Sequence, residues 1–138
     1  VPRVSRWFVR AALGYLVLGF TAGAALLWNK GRPFAPGLAR LLPVHVEFVL
    51  VGWTVQLVMG VATWIFPRFG VPRSAYGSAA AGWLAFALLN GGVWAAALGG
   101  AAGRPRLALA GRAAEALAAL VLARNIWPRV RASGLSPM

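Results

Sequence analysis

His45 is the single histidine of the chain, and Glu47, two places on, is one of only two acidic residues among 138. Both stand at the start of one apolar stretch, VHVEFVLVGWTVQLVMGVATWIFPRFG. A neutral imidazole in such a place has two uses. It ligates a metal, iron or copper above all, or serves as an axial haem ligand. Otherwise it hydrogen-bonds a neighbouring helix. At about 100° per residue the face headed by His45 continues through Gly52, Gln56, Met59, Gly60 and Thr63. Small residues on that strip admit either a second helix or a flat cofactor close to the backbone. Both readings stay open on the residues alone.

Glu47 falls about 200° round the helix from His45 and cannot share its face. A carboxylate within an apolar run is a functional candidate by default. Its structural alternative is a salt bridge to Arg40 or to an arginine of the facing loop, with water within reach. Asn90, deep in WLAFALLNGGVW, is expected to bond across helices. Arg112 and Glu115, three apart, form a pair that neutralises itself on one helix face. Alternatively Arg112 faces haem propionates from a neighbouring subunit, because a guanidinium matches carboxylate geometry.

Several chemistries drop out. The chain has no cysteine and one histidine, so thiolate zinc, iron–sulfur and Cys-attached haem sites are excluded, and a zinc site within one subunit is too. There is no aspartate, hence no Ser-His-Asp set, and no phosphate-binding P-loop pattern.

These residues sit on long apolar segments. Hydrophobic residues make up 60% of the chain and charged residues 12%, which is outside the range of soluble domains. The pattern predicts an all-α, integral membrane four-helix bundle forming a single domain over 1–138. The helices are expected at about 5–28, 38–66, 74–98 and 107–127, each near the roughly 20 residues that span a bilayer. The first run is too long for a signal peptide and is expected to stay as a helix. Pro- and Gly-rich turns such as NKGRPFAPG separate the runs. The short connections predict antiparallel neighbours.

The net charge of +12 is spread beside the apolar runs, where it meets lipid headgroups rather than nucleic acid. Arg3, Arg6, Arg10, Arg68, Arg73, Arg124, Arg129 and Arg131 fall on one side. Lys30, Arg32, Arg40, Arg104 and Arg106 fall on the other. The excess on the first side predicts that both termini are cytoplasmic. A bacterial inner membrane is the expected location, and His45 then lies near the outer leaflet.

His45, Gly52, Trp53, Gly60 and Pro67-Arg68 together give the pattern H-x-E-x4-G-W-x6-G-x6-P-R. It resembles the second transmembrane helix of the haem-copper oxidase and nitric oxide reductase large subunits, and looks closest to their short, four-helix, subunit I-like members. WLAFALLNGGVW is similar to that superfamily's third helix. The resemblance covers about the middle half of the chain. It implies that the fold is similar to one four-helix arc of the large subunit, with His45 matching an axial ligand of the low-spin haem. The other family ligands have no counterpart here, so neither copper nor an oxygen-reducing centre is expected within one subunit. Glu47 stands where relatives carry His or Asn, which leaves that position's role open. Three arcs around a pseudo-threefold axis suggest a homotrimer; a dimer clamping one haem between two His45 residues is the alternative.

The leading expectation is a haem b-binding membrane protein in electron transfer or in binding oxygen or nitric oxide. His45 is the iron ligand, and Gly52, Gln56, Met59 and Gly60 shape the wall beneath it. It would work with a redox partner, and the absence of the superfamily's copper-site histidines argues against enzyme activity on its own, although a haem could still react with oxygen or nitric oxide. The alternatives are a cofactor-free structural or assembly subunit, and a metal-binding membrane protein or small transporter.

Overall fold

The computed structural model describes residues 1–66 and 77–130. Among them the regular elements are all helical: α1 over Arg3–Gly31, α2 over Pro36–Ile65, α3 over Ala79–Ala101 and α4 over Pro105–Ile126, the last followed by a 3₁₀ turn over Trp127–Arg129. Three of them, α1, α2 and α3, are long and apolar enough to cross a membrane. The fourth has 22 residues, also a spanning length, but carries Arg106, Arg112, Glu115 and Arg124 and does not share that apolar character.

Local chemistry sets the ends. The side-chain carbonyl of Asn29 accepts from the backbone N–H of Phe34 at 3.0 Å and of Ala35 at 2.9 Å, fixing the turn after α1. Helix α3 begins at Ala79 rather than near Ser74. Gly77, at φ +82°, takes a left-handed conformation that an L side chain resists, and Ser78 Oγ then caps the helix by accepting from Ala81 N at 3.2 Å. Residues 74–76, like Pro67, Arg68, Arg73 and Arg131, lie outside the described residues. Pro105 occupies the first position of α4, where no backbone donor is needed.

Helix α2 is not uniform. It opens as a 3₁₀ turn over Pro36–Leu41, becomes α-helical over Leu42–Glu47, widens to i→i+5 bonding over Phe48–Val55, and returns to α over Gln56–Ile65. Threonine side chains report the change. Thr21 and Thr63 donate to the carbonyl four residues back, whereas Thr54 donates five back, to Val49 O at 3.0 Å. The uniform step of about 100° per residue expected along this helix does not hold through Phe48–Val55.

The core has two parts. Phe8, Met59, Leu89 and Leu122 meet in one, where all four helices contribute; Tyr15, Phe48 and Val93 form the other. Between them runs a polar thread. Tyr15 O–H donates to Asn90 Oδ1 at 3.0 Å, and Gln56 Nε2 donates to the same oxygen and to Phe8 O, each at 3.4 Å. Asn90 thus bonds across helices as expected.

Candidate functional site

His45 projects from the α-helical part of α2 onto α1. Its Nδ1 lies 2.8 Å from the carbonyl oxygen of Gly19. A carbonyl only accepts, so Nδ1 carries a proton and donates, and in the neutral form of the ring Nε2 is the nitrogen with a free lone pair. Among the described residues Nε2 has no partner. The ring lies against Gly23: a Cβ built there would fall 2.6 Å from Cε1 and 2.8 Å from Nδ1. Gly19-x3-Gly23 on α1 is therefore what admits the imidazole. Those two glycines were not singled out from sequence, although their four-residue spacing is a recognisable small-residue pattern.

The strip expected to form a cofactor wall is placed as follows. Gly52 is covered by Tyr15, whose Cγ would lie 2.7 Å from an added Cβ, and Gly60 is covered by Phe8, whose Cβ would lie 2.7 Å away. Gln56 is fully buried at 0% exposure, and Met59 is buried in the core. Ser5 Oγ donates to Gly60 O at 2.7 Å. The four residues do share one face, as the helical spacing indicates, but side chains of α1 occupy it. Within one chain no room for a flat ligand is left between α1 and α2 along that strip.

Glu47 faces away from His45, into the contact with α3 and α4. It is 1% exposed and pairs with Arg112 Nη1 at 2.5 Å. The same nitrogen meets Glu115 Oε2 at 3.3 Å. The partner of Glu47 is therefore on α4, not Arg40 or a loop arginine, and the carboxylate is sealed from water rather than shallow. The close seating of α4 on α3 explains this. A Cβ on Gly92 would meet Glu115 Cγ and Gly111 O at 2.8 Å, so bare backbone on α3 lets α4 come near enough for Arg112 to reach α2.

Both acidic side chains of the chain thus converge on one guanidinium. Glu115 lies ten residues into α4, about 15 Å along its axis, so the cluster sits near the middle of that helix and not one turn from its end. Glu47 Oε1 and Glu115 Oε1 are buried without a hydrogen-bond partner among the described residues. Arg112 is half exposed and engages through Nη1 alone. Its other nitrogens have no partner among the described residues.

A third polar contact was not foreseen. Arg129, assigned from sequence to the headgroup region, is buried at the end of α2. Its Nη1 donates to Thr63 O at 3.1 Å and its Nη2 to Phe66 O at 2.6 Å. The last carbonyls of a helix lack intrahelical donors, and a guanidinium supplies them. The Pro-Arg step after Trp127 is the only local hint of this inward turn.

Comparison with protein-family models, with curated proteins and with solved structures finds no match to this chain.

Proposed function

We propose that the chain is a haem b-binding membrane subunit that works in electron transfer or in binding a small gas such as oxygen or nitric oxide, with His45 Nε2 as an axial ligand of the iron. The observation that carries this reading is the Nδ1–H bond from His45 to Gly19 O at 2.8 Å. Metal-bound imidazoles commonly donate their second nitrogen to a carbonyl, which fixes the tautomer and raises ligand basicity.

One ligand position fits the group; a closed pocket within one chain does not, because Tyr15 and Phe8 fill the strip below. The haem would meet His45 from outside the α1–α2 pair, with a second copy completing the pocket. A homotrimer is the favoured assembly and a dimer the alternative. A bound haem supplies a one-electron redox change or a gas-binding iron. The carbonyl of Gly19 orients the imidazole, and the bare backbone of Gly23 lets it lie flat. Arg112, with nitrogens to spare, suits a propionate of a haem held by a neighbouring copy, since within one chain it lies on the Glu47 side of α2, away from His45. No copper is expected, and electron transfer would require a redox partner.

Exposed apolar side chains support a membrane setting. Leu18, Phe20 and Leu27 on α1 and Leu109 and Leu120 on α4 are exposed, as suits side chains facing lipid. The Glu47–Arg112–Glu115 cluster gathers the mid-helix charges of α4, which favours α4 as a fourth span. Both termini on the cytoplasmic side of a bacterial inner membrane remains the preferred orientation.

The filled glycine notches favour a second reading, a cofactor-free structural or assembly subunit in which His45 only ties α2 to α1. A metal-binding protein or small transporter comes third. Among the described residues no group of three His, Cys, Asp or Glu side chains is placed to hold a metal, so this would need His45 from several copies. Absorption spectroscopy of protein purified from haem-supplemented cells separates these readings. A Soret band that disappears in His45→Ala is the expected result. A colourless preparation overturns the haem reading and leaves the structural one, and elemental analysis of that preparation tests the metal.

A further inference from the structure

The two acidic side chains of the chain are Glu47 and Glu115, and both are spent on Arg112 inside the bundle. The cations at the helix ends therefore have no carboxylate side chain anywhere in the chain to balance them. Arg129 is turned inward onto α2 carbonyls. Arg124, one turn earlier and on the outside, makes no hydrogen bond or ion pair with any described residue. Among the described residues Arg124 is thus left with no anionic partner.

Arg124 also heads a shaped surface. Leu120, Ala123, Arg124, Trp127 and Pro128 line a groove of about 620 Å³. Spacings of three and four residues put Leu120, Ala123, Arg124 and Trp127 on one face of α4. Leu120 is 66% exposed and Trp127 74%. The groove is apolar along the helix and ends in a guanidinium beside an indole. Exposed tryptophan marks the level of lipid headgroups, and arginine binds phosphate with several donors at once. The groove thus offers a phosphate anchor at the headgroup level, with an apolar track below it for an acyl chain.

We infer that this groove is a binding site for an anionic glycerophospholipid, its phosphate on Arg124 and one acyl chain along Leu120 and Ala123. The site is independent of the haem reading, since it lies on the outer face of α4 and uses no residue of the His45 contact.

Native mass spectrometry of the full chain in detergent tests it, with phosphatidylglycerol, phosphatidylcholine and inorganic phosphate as the added probes. Phosphatidylglycerol is expected to bind about fivefold more tightly than phosphatidylcholine, the preference a single basic residue confers beside an anionic headgroup. Arg124→Gln should erase that preference. Lys30→Gln, which removes the same charge from a position lining no described groove, should keep it. Circular dichroism of both variants establishes that they are folded. Equal binding of the two lipids by the wild type, or an unchanged preference in Arg124→Gln, overturns the proposal. Competition by inorganic phosphate at matched concentration also overturns it, because the ligand would then be a free anion.

Discussion

Glycine serves two different ends in the two helix pairs. Between α1 and α2 each glycine is a notch for a side chain: Gly19 faces Val49, Gly23 faces His45, Gly52 faces Tyr15 and Gly60 faces Phe8. Between α3 and α4 the glycines meet backbone. A Cβ on Gly99 would run into the amide nitrogen of Ala108, and one on Gly111 into that of Ala96. The first pair is held apart by the side chains it interlocks. The second is pressed together along its main chains, which is what brings Arg112 within reach of α2. A notch filled by a side chain can yield when that side chain moves; two backbones in contact cannot.

The Glu47–Arg112 contact joins the two pairs, so breaking it is expected to have the largest effect. Arg112→Gln leaves Glu47 buried without its cation and should cost about 3 kcal/mol, seen as a lower midpoint of thermal unfolding in detergent. Replacing Arg112 and both glutamates together by apolar residues of similar volume should restore most of that loss, since an uncompensated charge, not the missing pair, is what destabilises. Next come Gly99→Ala and Gly111→Ala, each expected to cost about 2 kcal/mol through overpacking. Equal tolerance of alanine at Gly99 and at Gly23 would erase the distinction between the two contacts.

Gly23→Ala should cost less, about 1 kcal/mol, because the atoms it meets are the far end of the imidazole, which can swing away. Its signature is different: the Gly19 bond is lost, and any haem spectrum should shift while the fold survives. Tyr15→Phe, which removes one hydrogen bond to Asn90 and keeps the ring over Gly52, should cost about 1 kcal/mol and leave such a spectrum unchanged.

The helices were legible because apolar runs and Gly-Pro turns are local signals. The shared face of Gly52, Gln56, Met59 and Gly60 was legible for the same reason: helical spacing alone defines it. What covers that face was not, since Tyr15 and Phe8 come from another helix and no wheel names a neighbour. Glu47 shows the limit most clearly. Its angle from His45 was readable, but its partner lies 65 positions away on a helix whose approach depends on Gly92, Gly99 and Gly111 together. Arg129 escaped for a related reason. A basic residue after a helix is ordinarily solvated, and only the tertiary placement of the α2 terminus gives it carbonyls to bond.

The wide turn over Phe48–Val55 makes α2 two rods in one. Each added residue in a turn delays the phase of everything after it, so the half bearing His45 and Glu47 is out of step with the half bearing Gln56 and Met59. A single-residue deletion inside that stretch would bring the halves back into phase. It would then swing the imidazole and the carboxylate together, off the Gly19 carbonyl and the Arg112 guanidinium, or else turn Gln56 and Met59 out of the core, because one straight cylinder cannot keep both halves in their contacts at once.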